Sequence, residues 1–306
     1  MLSIISQMGA LILCGWIWRT LKPGGLDADT TRQVLTTLVY FLLLPALVLV
    51  VLWQAPLDGQ SWRIAVVAGL SVVLAMLLAW GSCRFCKAQR RVTGTVILAA
   101  AFPNATYLGL PLLESLFGDL GRFVAIQYDL FACTPILLTV GILVASRMGD
   151  GAAQVNPLTT LLRVPSLWAA ALGVTLNLSG VPLLPWFESW LTMLGNGVIP
   201  LMLFSLGLAL VWRTWRMEYL RFLLPVVLIQ LAIQPLFAWF AAHFLGLEGE
   251  VLIAVVLEAA MPAMVLGLVL CDRYRLDSAL YAAAVTLTTL LAFVTLPLTY
   301  RLASLF

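Results

Sequence analysis

AAAFPNATYLGLPLL, residues 99–113, and LEAAMPAMVLGLVL, residues 257–270, decide the fold, because each is a hydrophobic span interrupted by proline and they lie at corresponding places in the two halves of the chain. Proline removes a backbone donor and clashes with the carbonyl one turn back, so it frees polar backbone groups that hydrocarbon cannot satisfy. Such a break persists where it lines a cavity. A matched pair of interrupted spans points to the binding site of a secondary carrier.

Composition supports a membrane setting. The 306 residues are 62% hydrophobic and 10% charged, a balance that no soluble domain of this length needs to fill a core. A spanning helix takes roughly 20 apolar residues. Ten apolar blocks stand between the charged clusters, at 3–19, 32–54, 62–84, 93–117, 123–146, 161–180, 188–211, 220–245, 250–271 and 278–303. The predicted fold class is therefore an all-α polytopic membrane protein of ten transmembrane helices, with almost nothing left over for a soluble domain. The first block has no basic residue before it, and Leu11, Ile12 and Leu13 are too bulky for a cleavage site before Cys14, so it reads as a retained helix.

The basic residues fix the expected orientation. Loops after odd-numbered spans hold Arg19, Lys22, Arg32, Arg84, Lys87, Arg90, Arg91, Arg147, Arg163, Arg213, Arg216, Arg221, Arg273 and Arg275. The even loops and the C-terminus hold only Arg63, Arg122 and Arg301. The positive-inside rule then puts odd loops in the cytoplasm and both termini outside, in a cytoplasmic membrane. The net charge of +3 is dispersed and implies no nucleic-acid partner. Trp16, Trp18, Trp53, Trp80, Trp186, Trp190, Trp212 and Trp215 cluster near span ends, as interfacial anchors do. Cys83 and Cys86 form a C-x-x-C, but no second ligand pair accompanies them, so no metal site is expected. His243 is read as interfacial. No cofactor is implied.

Five spans per half require the second half to enter the membrane in the opposite sense, giving an inverted repeat. The expected division is a first repeat over 1–147, a short polar cytoplasmic linker over 148–160 and a second repeat over 161–306. Prolines mark the register: Pro45 with Pro200, Pro103 with Pro262 and, loosely, Pro135 with Pro297. Spans 4 and 9 would then be broken and cross near the midplane as four half-helices. Backbone N–H groups after Pro103 and Pro262 would be unpaired, and a helix start carries partial positive charge, so the crossing favours a small carboxylate. The substrate-binding candidates are Pro103, Asn104, Ala105 and Tyr107 around the first break, Pro262 and Ala263 at the second, and Ser205 in span 7. Gly109 is read as a packing residue.

At these residues the chain resembles the auxin efflux carrier family, which includes plant PIN-formed carriers and bacterial carriers for malonate-like acids. Pro103, Asn104, Gly109, Leu110, Pro111 and Leu112 match its P-N-x-x-x-x-G-[IL]-P-L stretch. Phe204 to Leu208 resemble its F-S-L-G-L, and Ala260, Met261 and Pro262, followed by Tyr274, resemble its A-[LM]-P stretch with a downstream tyrosine. The resemblance spans essentially the whole chain. It implies a scaffold and a transport domain, substrate near the crossing of spans 4 and 9, an elevator-like movement and a homodimer. The long cytoplasmic loop of plant members is missing, which points to an aliphatic rather than an indole acid.

Two carboxylates fall well inside spans, Asp129 and Glu258, and each is a candidate for binding a coupling proton or sodium ion. Glu258 stands four residues before Pro262, on the same helix face. The depth of Asp129 is open: cavity wall, helix-packing contact or outer surface. Rival readings are a sodium/proton antiporter, which would ordinarily place two adjacent acids in one helix, and a receptor that binds without moving its ligand. A membrane enzyme would need an HExxH, a G-x-S-x-G or a metal-ligand cluster, and none is present.

Overall fold

A computed structural model describes residues 2–54, 60–150, 159, 162–210 and 217–305. Most of the 148–160 linker, together with Trp212, Arg213, Trp215 and Arg216, lies outside the described residues. The described chain is almost wholly helical and holds no strand longer than a single bridge. In chain order the helices are α1 (Leu2–Leu21), α2 (Ala28–Gln54), α3 (Gln60–Phe85), α4 (Arg90–Ala101), α5 (105–117), α6 (Asp119–Met148), α7 (Pro165–Leu178), α8 (Pro185–Ala209), α9 (Leu220–Phe244), α10 (Gly249–Ala259), α11 (Leu266–Tyr274) and α12 (Ser278–Ala303). Six of these, α2, α3, α6, α8, α9 and α12, are long and apolar enough to cross a membrane, and α7 is a shorter apolar helix. Large apolar side chains such as Leu77, Trp168, Phe240 and Val294 face outward, as lipid contact requires.

Proline shapes these helices at a fixed offset. A wide π-helical turn covers 39–43 ahead of Pro45, 105–109 ahead of Pro111, 129–133 ahead of Pro135 and 229–233 ahead of Pro235. The proline ring collides with the carbonyl four residues back and cannot donate to it, and widening the preceding turn relieves both faults.

The helices pack in two groups. α1, α2, α7 and α8 form one, and α3 to α6 with α9 to α12 form the other. Within the first group, the Trp53 indole donates to the Val181 carbonyl at 2.8 Å and the Asn177 amide donates to the Trp53 carbonyl at 2.7 Å, tying the end of α2 to the end of α7.

Candidate functional site

The second group is organised around two chain breaks, between α4 and α5 and between α10 and α11. Phe102 to Asn104 and Ala260 to Val265 leave the helical path and meet side by side, with Pro103 opposite Ala263 in an antiparallel bridge. The Asn104 N–H donates to the Pro262 carbonyl at 2.7 Å, and the Met264 N–H donates to the Phe102 carbonyl at 3.1 Å. The Ala263 N–H donates to Thr288 Oγ1 of α12 at 3.1 Å. This corrects the expectation that the amides just after Pro103 and Pro262 are unpaired: the two breaks satisfy each other. One turn further on, the first N–H groups of α5 and α11 are the donors that a helix leaves without an intrahelical acceptor.

Side chains from two further helices fasten the crossing. Gln234 of α9 donates through Nε2 to the Ala101 carbonyl at the end of α4 at 3.2 Å, and Gln230 donates to the Met261 carbonyl beyond α10 at 3.0 Å. The Tyr281 hydroxyl of α12 donates to the Met264 carbonyl at 2.9 Å. These residues escaped the sequence reading, although two buried glutamines one helical turn apart in an apolar span are a signal of backbone repair. Gln234→Leu is expected to lower stability by about 1–2 kcal/mol, since the Ala101 carbonyl then loses its donor in a water-free setting. Thermal unfolding in detergent would measure this, with Leu236→Ala, an outward-facing change on the same helix, as the comparison.

Beside the crossing, between the two helix groups, lies a cavity of about 70 Å³. One wall holds Tyr40 and Leu44 of α2 with Val164 and Ser166 at the start of α7. The other holds Asn104, Thr106 and Tyr107, Asp129, Leu130 and Thr134 of α6, and Met264 and Leu266. The starts of α5 and α11 thus both face it. Asn104 is 3% exposed, and its amide nitrogen has no partner among the described residues; the Ser166 hydroxyl is likewise buried and unpartnered. Asp129 is 6% exposed, and its carboxylate accepts from the hydroxyls of Thr106 and, at 3.0 Å, Thr134. It sits at the start of the widened turn before Pro135.

Of the sequence candidates, Asn104, Tyr107 and Asp129 meet in this cavity. Pro103, Ala105, Pro262 and Ala263 form the crossing behind it. Ser205 is buried in α8 outside the lining, and its hydroxyl has no partner among the described residues. Glu258 is elsewhere: it is 0% exposed, neither carboxylate oxygen has a hydrogen-bond partner among the described residues, and it presses on Gly109, where an added Cβ would overlap it. Gly109 is therefore a packing position, as read, and its neighbour is that acid. Glu114 pairs with Arg122. Tyr40, Thr106, Thr134 and Ser166 were missed because single hydroxyls in apolar spans usually bond their own backbone.

The model of the membrane transport protein family matches residues 10–300. The chain belongs to that family. The match bears out the auxin efflux carrier resemblance and identifies a membrane transporter rather than an enzyme. An uncharacterized transporter of Methanothermobacter thermautotrophicus is 31% identical over 294 residues, covering 94% of this chain and 93% of the relative. The uncharacterized transporter MJ1031 of Methanocaldococcus jannaschii is 25% identical, with 91% of each chain covered. The uncharacterized transporter YfdV of Escherichia coli is 24% identical, covering 77% of this chain and 76% of the relative.

Proposed function

We propose that this transporter is a secondary carrier of a small organic anion, a mono- or dicarboxylate such as malonate, malate or an auxin-like acid, working by elevator-type alternating access. The observation that carries the reading is the convergence of two helix starts and the unpartnered Asn104 amide on one buried cavity. Free N–H groups, a favourable dipole end and an amide donor are what a carboxylate needs. In this reading Asn104 and Tyr107 touch substrate, Pro103, Ala105, Pro262 and Ala263 shape the crossing, and Ser205 contributes in another state of the cycle.

The same reading takes the chain as ten transmembrane helices in two inverted repeats, 1–147 and 161–306, in a cytoplasmic membrane with both termini outside, and as a homodimer. The separate packing of α1, α2, α7 and α8 supports a scaffold against which the other helices move. A potential negative inside drives one negative charge outward by about 2.3 kcal/mol per 100 mV. Export can run uncoupled, whereas accumulation needs a proton or sodium ion, with either Asp129 or Glu258 as the one group to bind it. The buried, unpartnered Glu258 carboxyl favours one alternative, sodium/proton antiport without an acid.

Flux decides. Purified protein in liposomes is expected to take up labelled malonate, malate or an indole carboxylate saturably, under imposed pH, sodium or voltage gradients. Acid binding without flux would make it a receptor. Sodium-driven proton movement with no acid present would make it an antiporter.

A further inference from the structure

An anion in this cavity meets a like charge. Among the lining residues Asp129 is the one carboxylate, and no lysine or arginine is present to offset it. Two carboxylates about 4 Å apart near a protein surface repel enough to weaken binding on the order of a thousandfold. Asn104 and two helix starts cannot both attract the substrate and neutralise Asp129.

The groups that act on Asp129 do not remove the conflict. Tyr40 from α2 and Tyr107 from α5 feel its charge, as does Cys133 on its own helix, and Glu258 interacts with it from α10. None of these is cationic. Arg32, near the start of α2, acts on Tyr107 and is absent from the cavity lining. α7 and α11, with the residues just ahead of them, contribute Val164, Ser166, Met264 and Leu266, none of which titrates. A sodium ion would compete with the acid for about 70 Å³. A proton needs no volume.

Resting on the organic-anion reading, we infer that Asp129 carries the proton that accompanies the acid: the cavity accepts the anion with Asp129 protonated, and the two cross together. The proton enters from the solution that supplies the acid and is released with it on the far side. Protonation also turns an Asp129 oxygen from acceptor to donor, so the same step that removes repulsion adds a hydrogen bond for the carboxylate. A monocarboxylate then moves without net charge, and a dicarboxylate moves with one. Glu258 has no such role, because it presses on Gly109 outside the cavity lining.

The test counts protons. Malonate binding to the purified full-length protein is measured calorimetrically in two buffers of different ionisation enthalpy at the same pH, where the slope gives protons taken up per acid. One proton per malonate is expected for the wild type and for Glu258→Gln, and none for whatever binding remains in Asp129→Asn. In liposomes, one unit of inward pH gradient is expected to raise wild-type accumulation up to tenfold. A wild-type count near zero overturns the inference even if Asp129→Asn does not fold. An unchanged count in Asp129→Asn, or its loss in Glu258→Gln alone, overturns it by placing the proton elsewhere. Failure of malonate, malate and an indole carboxylate all to bind the wild type overturns the organic-anion reading, and this inference with it.

Discussion

Asn104→Ala is expected to weaken acid binding by about ten- to a hundredfold while leaving thermal stability nearly unchanged. The side chain is buried on the cavity wall with its Nδ2 donor unpartnered, so removing it breaks no hydrogen bond of the empty protein made by that nitrogen. Its backbone contact with Pro262, made through the amide N–H, survives the change. A hydrogen bond to a charged group contributes about 1.5–3 kcal/mol, which gives the stated range. Asn104→Asp should be worse, since it replaces a donor with a second negative charge beside Asp129. Titration of malonate into the two variants and the wild type measures this directly. Unchanged affinity in Asn104→Ala would remove the amide from the site and leave the helix starts alone as the anion-binding element.

The long-range part of this architecture was legible because lipid imposes a coarse rule on sequence. Block 62–84 corresponds to α3 at Gln60–Phe85, block 278–303 coincides with α12, and the breaks fall at Pro103 and Pro262 as the missing donors require. The finer part was not legible, for separable reasons. The bridge between Pro103 and Ala263 joins residues 160 apart in sequence, and nothing local states that two breaks will satisfy each other's backbone. The widened turn at 129–133 shifts every later side chain around the helix relative to a regular 3.6-residue count, so the cavity position of Thr134 cannot be taken from spacing alone. Helical periodicity has little purchase where all faces are apolar, as in α3, so which residues face the cavity cannot be taken from the pattern. Pairing of Gly109 with Glu258 was half visible: the glycine signalled a close approach, but not that a carboxyl was what approached.

The other large effect concerns the seam between α1 and α8. Gly15 and Gly207 face each other there: a Cβ on Gly207 would overlap the Ile12 carbonyl, and one on Gly15 would overlap the Phe204 carbonyl. In lipid no hydrophobic force drives two helices together, so close backbone approach through small residues is the main source of attraction. Two terms oppose each other in Gly207→Ala. Replacing a helical glycine lowers the entropy cost of folding by about 0.5–1 kcal/mol, while overpacking a tight contact costs about 1–3 kcal/mol. The obstructing atoms are backbone, which cannot rotate away, so the second term wins. Gly207→Val should cost several kcal/mol and separate α1 from α8, taking with it the edge-to-face contact of Trp18 on Phe204 at 5.5 Å. Gly81 of α3 supplies the control, because nothing lies within 4 Å of a Cβ placed there and the entropy term acts alone. Thermal unfolding in detergent is therefore expected to shift upward for Gly81→Ala, downward for Gly207→Ala and furthest downward for Gly207→Val. Equal shifts for Gly81→Ala and Gly207→Ala would mean that α1 and α8 are not held at this distance.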